Sequence, residues 1–148
     1  MSRVHMHVVV EDLETSIRFY TALFGAEPSL VEADYAKWEL DEPHINFDIS
    51  TRGQVPGLDH VGIQLDTDRE LNDLQTRLEE AGFNGVAQQD TACCYEHSNK
   101  YWILDPTYTS WEAFHSLRPI ATFNGKKDEQ NSDGCCDPFT GGSSCFTR

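Results

Sequence analysis

Two adjacent thiols, Cys93 and Cys94, sit in the stretch Gln89-Asp90-Thr91-Ala92-Cys93-Cys94-Tyr95-Glu96-His97. Neighbouring cysteines make a poor structural disulfide, because consecutive Cα atoms are only about 3.8 Å apart and the ring they close is strained. The pair suits a single soft, thiophilic atom instead. Thiolates are soft donors, and the chain has already brought the second one to the first. The plainer alternative is two small buried hydrophobes, since cysteine is often buried. Placement in a loop between strands favours access.

A harder centre is expected near that pair. His5 lies in Val4-His5-Met6-His7-Val8-Val9-Val10, and His60 lies about 55 residues later in Asp59-His60-Val61-Gly62-Ile63-Gln64-Leu65. Each stretch is followed by a helical pattern that stops at a glycine, Gly25 or Gly82. The repetition points to two copies of one strand-helix-strands unit. Side chains alternate along a strand, so His5, His7 and Val9 share one face, and His60, Gly62 and Gln64 share the matching one. Glu112 stands in the apolar stretch Ser110-Trp111-Glu112-Ala113-Phe114. A carboxylate buried there is costly unless it is paired or bound to metal. Two histidines and one carboxylate form the facial set that holds ferrous iron and leaves positions open for oxygen and substrate. The alternatives are a satisfied core or surface histidine for His5 and a solvent-facing edge residue for Glu112. His7 is a candidate fourth ligand, but its repeat partner is Gly62, so it reads as a residue that supports the ligands or lines the pocket. His44, His97 and His115 read as surface or pocket residues. His97 is the one neighbour able to activate the thiols, if it folds back. Tyr101 and Trp102 are expected near the substrate, with core packing the stronger expectation for Trp102.

The elements that position these groups follow from pattern. A β-branched strand over 4–10 leads to a helix capped by Asp12, with Leu13, Ile17, Tyr20 and Phe24 on one stripe and Gly25 as its left-handed stop. Short strands fit 29–32, 35–40 and 44–49, and 51–57 is a linker by its Gly and Pro content. The second half opens with a strand over 58–65. Thr67 and Glu70 form a capping box for a helix with Leu71, Leu74, Leu78 and Ala81 buried, and Gly82 ends it. Strands are expected at 85–89, 98–104 and 109–114, with Asp105-Pro106-Thr107 as a turn. The domain spans 1–120, with modules of about 3–50 and 57–118. Residues 121–148 lose apolar periodicity and read as a flexible tail carrying Cys135, Cys136 and Cys145, which are possible accessory thiols.

Composition narrows the function. The formal net charge is −14, which repels phosphates and argues against nucleic acid or anionic membrane as partners. The longest N-terminal apolar run, Val8-Val9-Val10, is too short for a signal peptide or a spanning helix, so a cytoplasmic location is expected. In a reducing compartment, five cysteines are ligands or reactive thiols rather than a disulfide framework.

The pattern resembles the vicinal oxygen chelate superfamily, the glyoxalase and extradiol dioxygenase group. The carriers are Val4-His5-Met6-His7-Val8, Phe19-Tyr20-Thr21-Ala22-Leu23-Phe24-Gly25, Leu58-Asp59-His60-Val61-Gly62-Ile63 and Asp105-Pro106-Thr107-Tyr108-Thr109-Ser110-Trp111-Glu112. The resemblance covers about residues 3–118. It implies an α+β fold of two βαβββ modules of the glyoxalase/bleomycin-resistance type. With Cys93-Cys94-Tyr95 and the cysteine-bearing tail, the chain looks like the carbon–arsenic lyases of arsenic-resistance operons. That implies an Fe(II)-dependent, O2-using lyase, a dioxygenase by cofactor chemistry, which degrades trivalent organoarsenicals such as methylarsonous acid and trivalent aromatic arsenicals to arsenite. His5, His60 and Glu112 would be the catalytic iron ligands, and Cys93 and Cys94 would hold the arsenic. Two alternatives stand beside it. One is non-catalytic thiol sequestration of As(III) or Cd(II). The other is a different vicinal oxygen chelate dioxygenase or isomerase, the isomerase needing a fourth ligand that Asp48 would have to supply.

Overall fold

A computed structural model describes residues 1–53, 55–125 and 137–139. In order, the elements are β1 (Arg3–Val9), α1 (Leu13–Phe24), β2 (Leu30–Glu32), β3 (Tyr35–Asp41), β4 (His44–Ser50), β5 (Gly57–Leu65), α2 (Asp68–Glu80), β6 (Val86–Cys93), β7 (Glu96–Leu104) and β8 (Ser110–Pro119). A short 3-10 turn follows at Phe123–Gly125. One eight-stranded sheet runs β2-β3-β4-β1-β5-β8-β7-β6. Each half is a βαβββ unit, and the halves meet where β1 and β5 pair antiparallel at the centre. The β1–β4 and β5–β8 pairs are parallel, an arrangement that needs the long crossovers through α1 and α2.

Both helices begin and end on the expected signals. Asp12 accepts a hydrogen bond from the Thr15 backbone N–H at 2.6 Å, and Gly25 takes the left-handed conformation that closes α1. The α2 capping box between Thr67 and Glu70 is complete. Past its end, Gly82 and Phe83 donate back to the Glu79 and Leu78 carbonyls, the double bond of a Schellman stop. Ala81, expected in the buried stripe, is the exposed residue at that cap.

The helices cover one face of the sheet. Leu13, Ile17, Tyr20 and Phe24 pack with Met6, Val8 and Val10 against Ala36, Trp38, Phe47 and Ile49. Leu71, Leu74 and Leu78 cover Leu65, Ile63, Tyr101, Ile103 and Ala113. Leu71 and Leu74 are buried, each stabilising by about 2 kcal/mol at the usual value for removing such a side chain from water. With the helices holding one set of alternating positions, the other set of β1, β4, β5, β7 and β8 faces away from them. There a group of buried polar side chains, His5, His7, Asn46, Asp48, His60, Lys100 and Glu112, stands among Val9, Trp102 and Phe114.

The strands at 85–89 and 98–104 are longer than expected. The space between them shrinks to the two residues Cys94 and Tyr95, so Cys93 ends β6 and the expected loop is a tight hairpin. Just past Ile120, within the stretch expected to be a flexible tail, Phe123 packs with Tyr35, Cys93 and Cys94. Asp137 is also buried. The accessory thiols Cys135, Cys136 and Cys145 lie outside the described residues. Among the described residues, no helix is long and apolar enough to cross a membrane.

Candidate metal and thiol site

Three strands bring His5, His60 and Glu112 together. Their donor atoms lie within 4.8 Å of one another, and they are the one such cluster among the described residues. His5 Nε2 is 3.1 Å from His60 Nε2, and Glu112 Oε2 is 3.1 Å from His60 Nε2 and 3.4 Å from His5 Nε2. The other ring nitrogens are already used. His5 Nδ1 is 3.2 Å from the Asn46 carbonyl, and His60 Nδ1 is 2.7 Å from Asp59 Oδ2. Donation from each Nδ1–H leaves both Nε2 lone pairs and a carboxylate oxygen pointing at one spot. Three acceptors facing one another repel unless a cation or a proton sits between them. The residues present therefore fit a metal ion with nitrogen and oxygen preference.

Electrostatics describe the same competition. Burial presses His5 down to about 3, against the attraction of Glu112. Burial also opposes charge on His60, but hydrogen bonds to Asp59 and Glu112 together outweigh it and lift the ring to about 10. Glu112 pays a large burial penalty, yet Lys100, His60 and His5 hold it well below the usual carboxylate range. In the metal-free protein a proton on His60 thus stands where a cation would.

Packing fixes the rings. His7 stacks on His60 with planes 5° apart, Trp102 meets His60 edge-on at 5.0 Å, and Phe114 meets His5 edge-on at 5.1 Å. His7 therefore backs His60 and does not itself line the cavity. Gly62 itself admits no side chain. A Cβ there would lie 2.0 Å from the Glu112 backbone oxygen, so any larger residue would push β8, and Glu112 with it, away from β5.

The thiols share this space. A cavity of about 30 Å³ is lined by His5, His60 and Glu112 on one side and Cys93 and Cys94 on another, with Tyr35, Lys37, Asp48 and Lys100 between them. Cys94 adopts a left-handed backbone with φ of 55° at the start of the hairpin turn. The two sulfurs are 3.8 Å apart, too far for a bond to each other. Two sulfurs each about 2.3 Å from one soft centre, the distance thiolates take to zinc, stand about 3.8 Å apart at a tetrahedral angle. A larger, mostly apolar cavity of about 390 Å³ lies on the other face of β8 under α2, and it carries no comparable group of ligands.

Several residues were not picked out from the sequence. Asp59 precedes His60 and by simple alternation should point the other way. The β1–β5 register skips it, with His7 opposite His60 and Val8 opposite Leu58, and this bulge brings its carboxylate to the His60 ring. Lys100 is buried and ion-paired to Glu112, and Lys37 is buried and donates to Glu96 at 2.7 Å. Each ammonium lining the cavity is thus matched by a carboxylate. His97 does not fold back towards the thiols, because its Nδ1 is held 2.9 Å from Asp90 Oδ1. Tyr101 does not enter the cavity. It lies under α2, and its hydroxyl accepts from the Gly85 N–H at 2.6 Å, whereas Trp102 on the opposite face supports His60. Asp48 faces the cavity but stands outside the three-donor cluster.

Comparison with known proteins agrees with this architecture. Residues 2–112 match the model of the Glyoxalase/Bleomycin resistance protein/Dioxygenase superfamily. A protein of Bacillus sp. (strain MD1) named trivalent organoarsenical cleaving enzyme is 41% identical, over 92% of this chain and 83% of its own. One of Bacillus subtilis (strain 168), named probable trivalent organoarsenical cleaving enzyme, is 38% identical over 92% and 91%. The cadmium-induced protein CadI of Mycobacterium bovis is 32% identical over 93% and 94%. Among solved structures, homoprotocatechuate 2,3-dioxygenase from Brevibacterium fuscum superimposes with a TM-score of 0.59 at 19% identity, covering 82% of this chain and 39% of that one. The Mn(II)-bound glyoxalase of Novosphingobium aromaticivorans gives 0.57 at 20%, covering 87% and 43%. These two show the shared fold. On the family match and the paired modules, the chain belongs to the glyoxalase, bleomycin-resistance and dioxygenase superfamily.

Proposed function

We propose that the chain is an Fe(II)-dependent, O2-using carbon–arsenic lyase that converts trivalent organoarsenicals, methylarsonous acid among them, to arsenite. The observation that carries this reading is that the His5–His60–Glu112 cluster and the Cys93–Cys94 pair line one cavity. Relatives covering nearly the whole chain and named for organoarsenical cleavage support it. A cytoplasmic setting suits thiols that must stay reduced.

In this reading Cys93 and Cys94 replace the two hydroxyls of R–As(OH)2, and each exchange releases water. The arsenic–carbon bond is left as the third bond and turned into the cavity. The paired thiols hold the substrate by closing a small ring around arsenic, so its second bond forms at high effective concentration. His5, His60 and Glu112 would hold the iron, which when bound supplies the redox chemistry with dioxygen. Lys100 occupies Glu112 Oε1 and leaves Oε2 as the carboxylate's donor. Asp59 and the Asn46 carbonyl fix the ring tautomers, and Phe114 and Trp102 keep water from the back of the site.

A second reading, thiol sequestration of As(III) or Cd(II) without turnover, is favoured by the resemblance to the cadmium-induced protein. One experiment separates them. Protein loaded anaerobically with ferrous iron is given methylarsonous acid and then air, and arsenite is measured. The lyase gives repeated turnovers that Cys93→Ser or Cys94→Ser abolishes while iron still binds. Bound arsenical without arsenite identifies the sink. An isomerase reading needs a fourth ligand, and Asp48 stands outside the three-donor cluster.

A further inference from the structure

Asp48 is a buried carboxylate that the scheme above does not use. It lies on β4 facing the cavity shared by the thiols and the metal cluster. One oxygen, Oδ2, accepts from the Tyr35 hydroxyl at 2.6 Å. The other, Oδ1, is buried with no hydrogen-bond partner, and two residues back on the same face Asn46 Oδ1 is in the same condition. Tyr35 also packs in one cluster with Cys93 and Cys94. Its ring therefore touches the thiol cluster while its hydroxyl holds the carboxylate. Buried polar atoms are nearly always satisfied, so two orphaned acceptors on one cavity wall point to a ligand that brings protons there.

We propose that Asp48 is the proton shuttle of arsenical capture, taking the proton of an attacking thiol and handing it to the hydroxyl that leaves arsenic. This rests on the thiol-capture reading above. The step balances without an oxidant. A Cys S–H gives its proton to Asp48 Oδ1, the sulfur forms an S–As bond, the As–O bond breaks, and the departing hydroxide takes the proton as water. Repeating this with the second thiol converts R–As(OH)2 and two thiols into R–As(S–Cys)2 and two waters, with arsenic trivalent throughout. Asn46 Oδ1 accepts from the hydroxyl or the water as it forms. Burial raises the Asp48 carboxyl above the usual range, against the pull of Lys37, His7 and the Tyr35 hydroxyl and with the repulsion of Glu96. That brings it closer to the pH at which it must both take and return a proton.

The test uses full-length, metal-free protein under anaerobic conditions with phenylarsine oxide as probe, following the loss of titratable thiols by stopped flow. Asp48→Asn is expected to slow capture about a hundred-fold, the low end for general acid–base help. The final stoichiometry should stay unchanged, and the residual rate should rise with buffer concentration because buffer replaces the shuttle. Cobalt(II) stoichiometry at the His5–His60–Glu112 cluster checks that the variant is folded. If it is not, Tyr35→Phe, which frees Oδ2, gives a smaller slowing with the same buffer dependence. Equal capture rates in wild type and folded Asp48→Asn, or slowing without buffer dependence, overturn the shuttle. Unimpaired capture by Cys93→Ser and Cys94→Ser overturns the thiol reading instead.

Discussion

The two halves of the molecule place a buried carboxylate at the same point and use it differently. In the second half Glu112 pairs with Gly62, two residues after His60. In the first, Asp48 pairs with His7, two residues after His5. Glu112 faces two imidazoles and a lysine, which hold it ionised. Asp48 receives a tyrosine hydroxyl and is pushed the other way by burial. Opposite Glu112 stands a glycine that lets β8 close in, and opposite Asp48 stands a full imidazole. The lesson is that an internal repeat supplies equivalent positions, and neighbours decide which one joins the three-donor cluster. One half contributes a histidine and a carboxylate and the other a histidine alone. A three-donor set of this kind leaves room for further ligands.

The largest effect separates the two carboxylates. Glu112→Ala should abolish stoichiometric metal binding, whereas Asp48→Ala should retain it, as read by metal analysis after gel filtration. Loss of metal from both would erase the distinction. Next, Gly62→Ala should cost nearly as much as Glu112→Ala, because the added methyl meets the β8 backbone and not a flexible side chain. The supporting carboxylate Asp59 comes third. Asp59→Ala should weaken metal affinity by about 10- to 100-fold, the usual range for such outer partners. His5, which has a backbone carbonyl as its partner, offers no equivalent side chain to remove.

Proton bookkeeping gives a fourth test. His60 is lifted to about 10 in the metal-free protein, so at pH 7 to 9 it is charged and must shed its proton when an ion binds. Loading there should release about one proton per ion, measurable with an indicator dye in weak buffer. The sign for stability is also fixed. A raised His60 stabilises the metal-free fold fully below about pH 6.5, and that contribution is lost as the pH climbs towards about 10. His5, lowered to about 3, acts oppositely, and its effect weakens the fold as the pH falls below about 6.5. The smallest effect compares the helices. Asp12→Ala and Thr67→Ala should each cost about 1 kcal/mol, a fall of about 2–4 °C in melting temperature for a chain of this size.

Much of this was legible in the sequence. The histidines recur at the repeat interval, alternation puts them on one face, and a glutamate in an apolar strand asks for a partner. The helix caps are local chemistry and appear where the residues announce them. What the sequence concealed depended on registers between distant strands. Asp59 reaches His60 only through a bulge, and a bulge is a property of two strands. Lys37 and Lys100 carry no local mark of burial, and only the folded sheet sets them against carboxylates. Tyr101 and Trp102 are adjacent, so a single step of strand parity decides which one meets the site. The thiol loop became a hairpin because β6 and β7 pair up to Cys93 and Glu96, which no local signal at Gln89–Ala92 specifies.

The central claim is that thiols and metal serve one small cavity. Cobalt(II) loaded anaerobically into the His5–His60–Glu112 cluster reports on its surroundings through its visible absorption. Adding methylarsonous acid should shift those bands in the wild-type protein and leave them unchanged in the Cys93→Ser, Cys94→Ser double variant. Stoichiometric arsenic on the wild-type thiols with an unaltered cobalt spectrum would contradict the account.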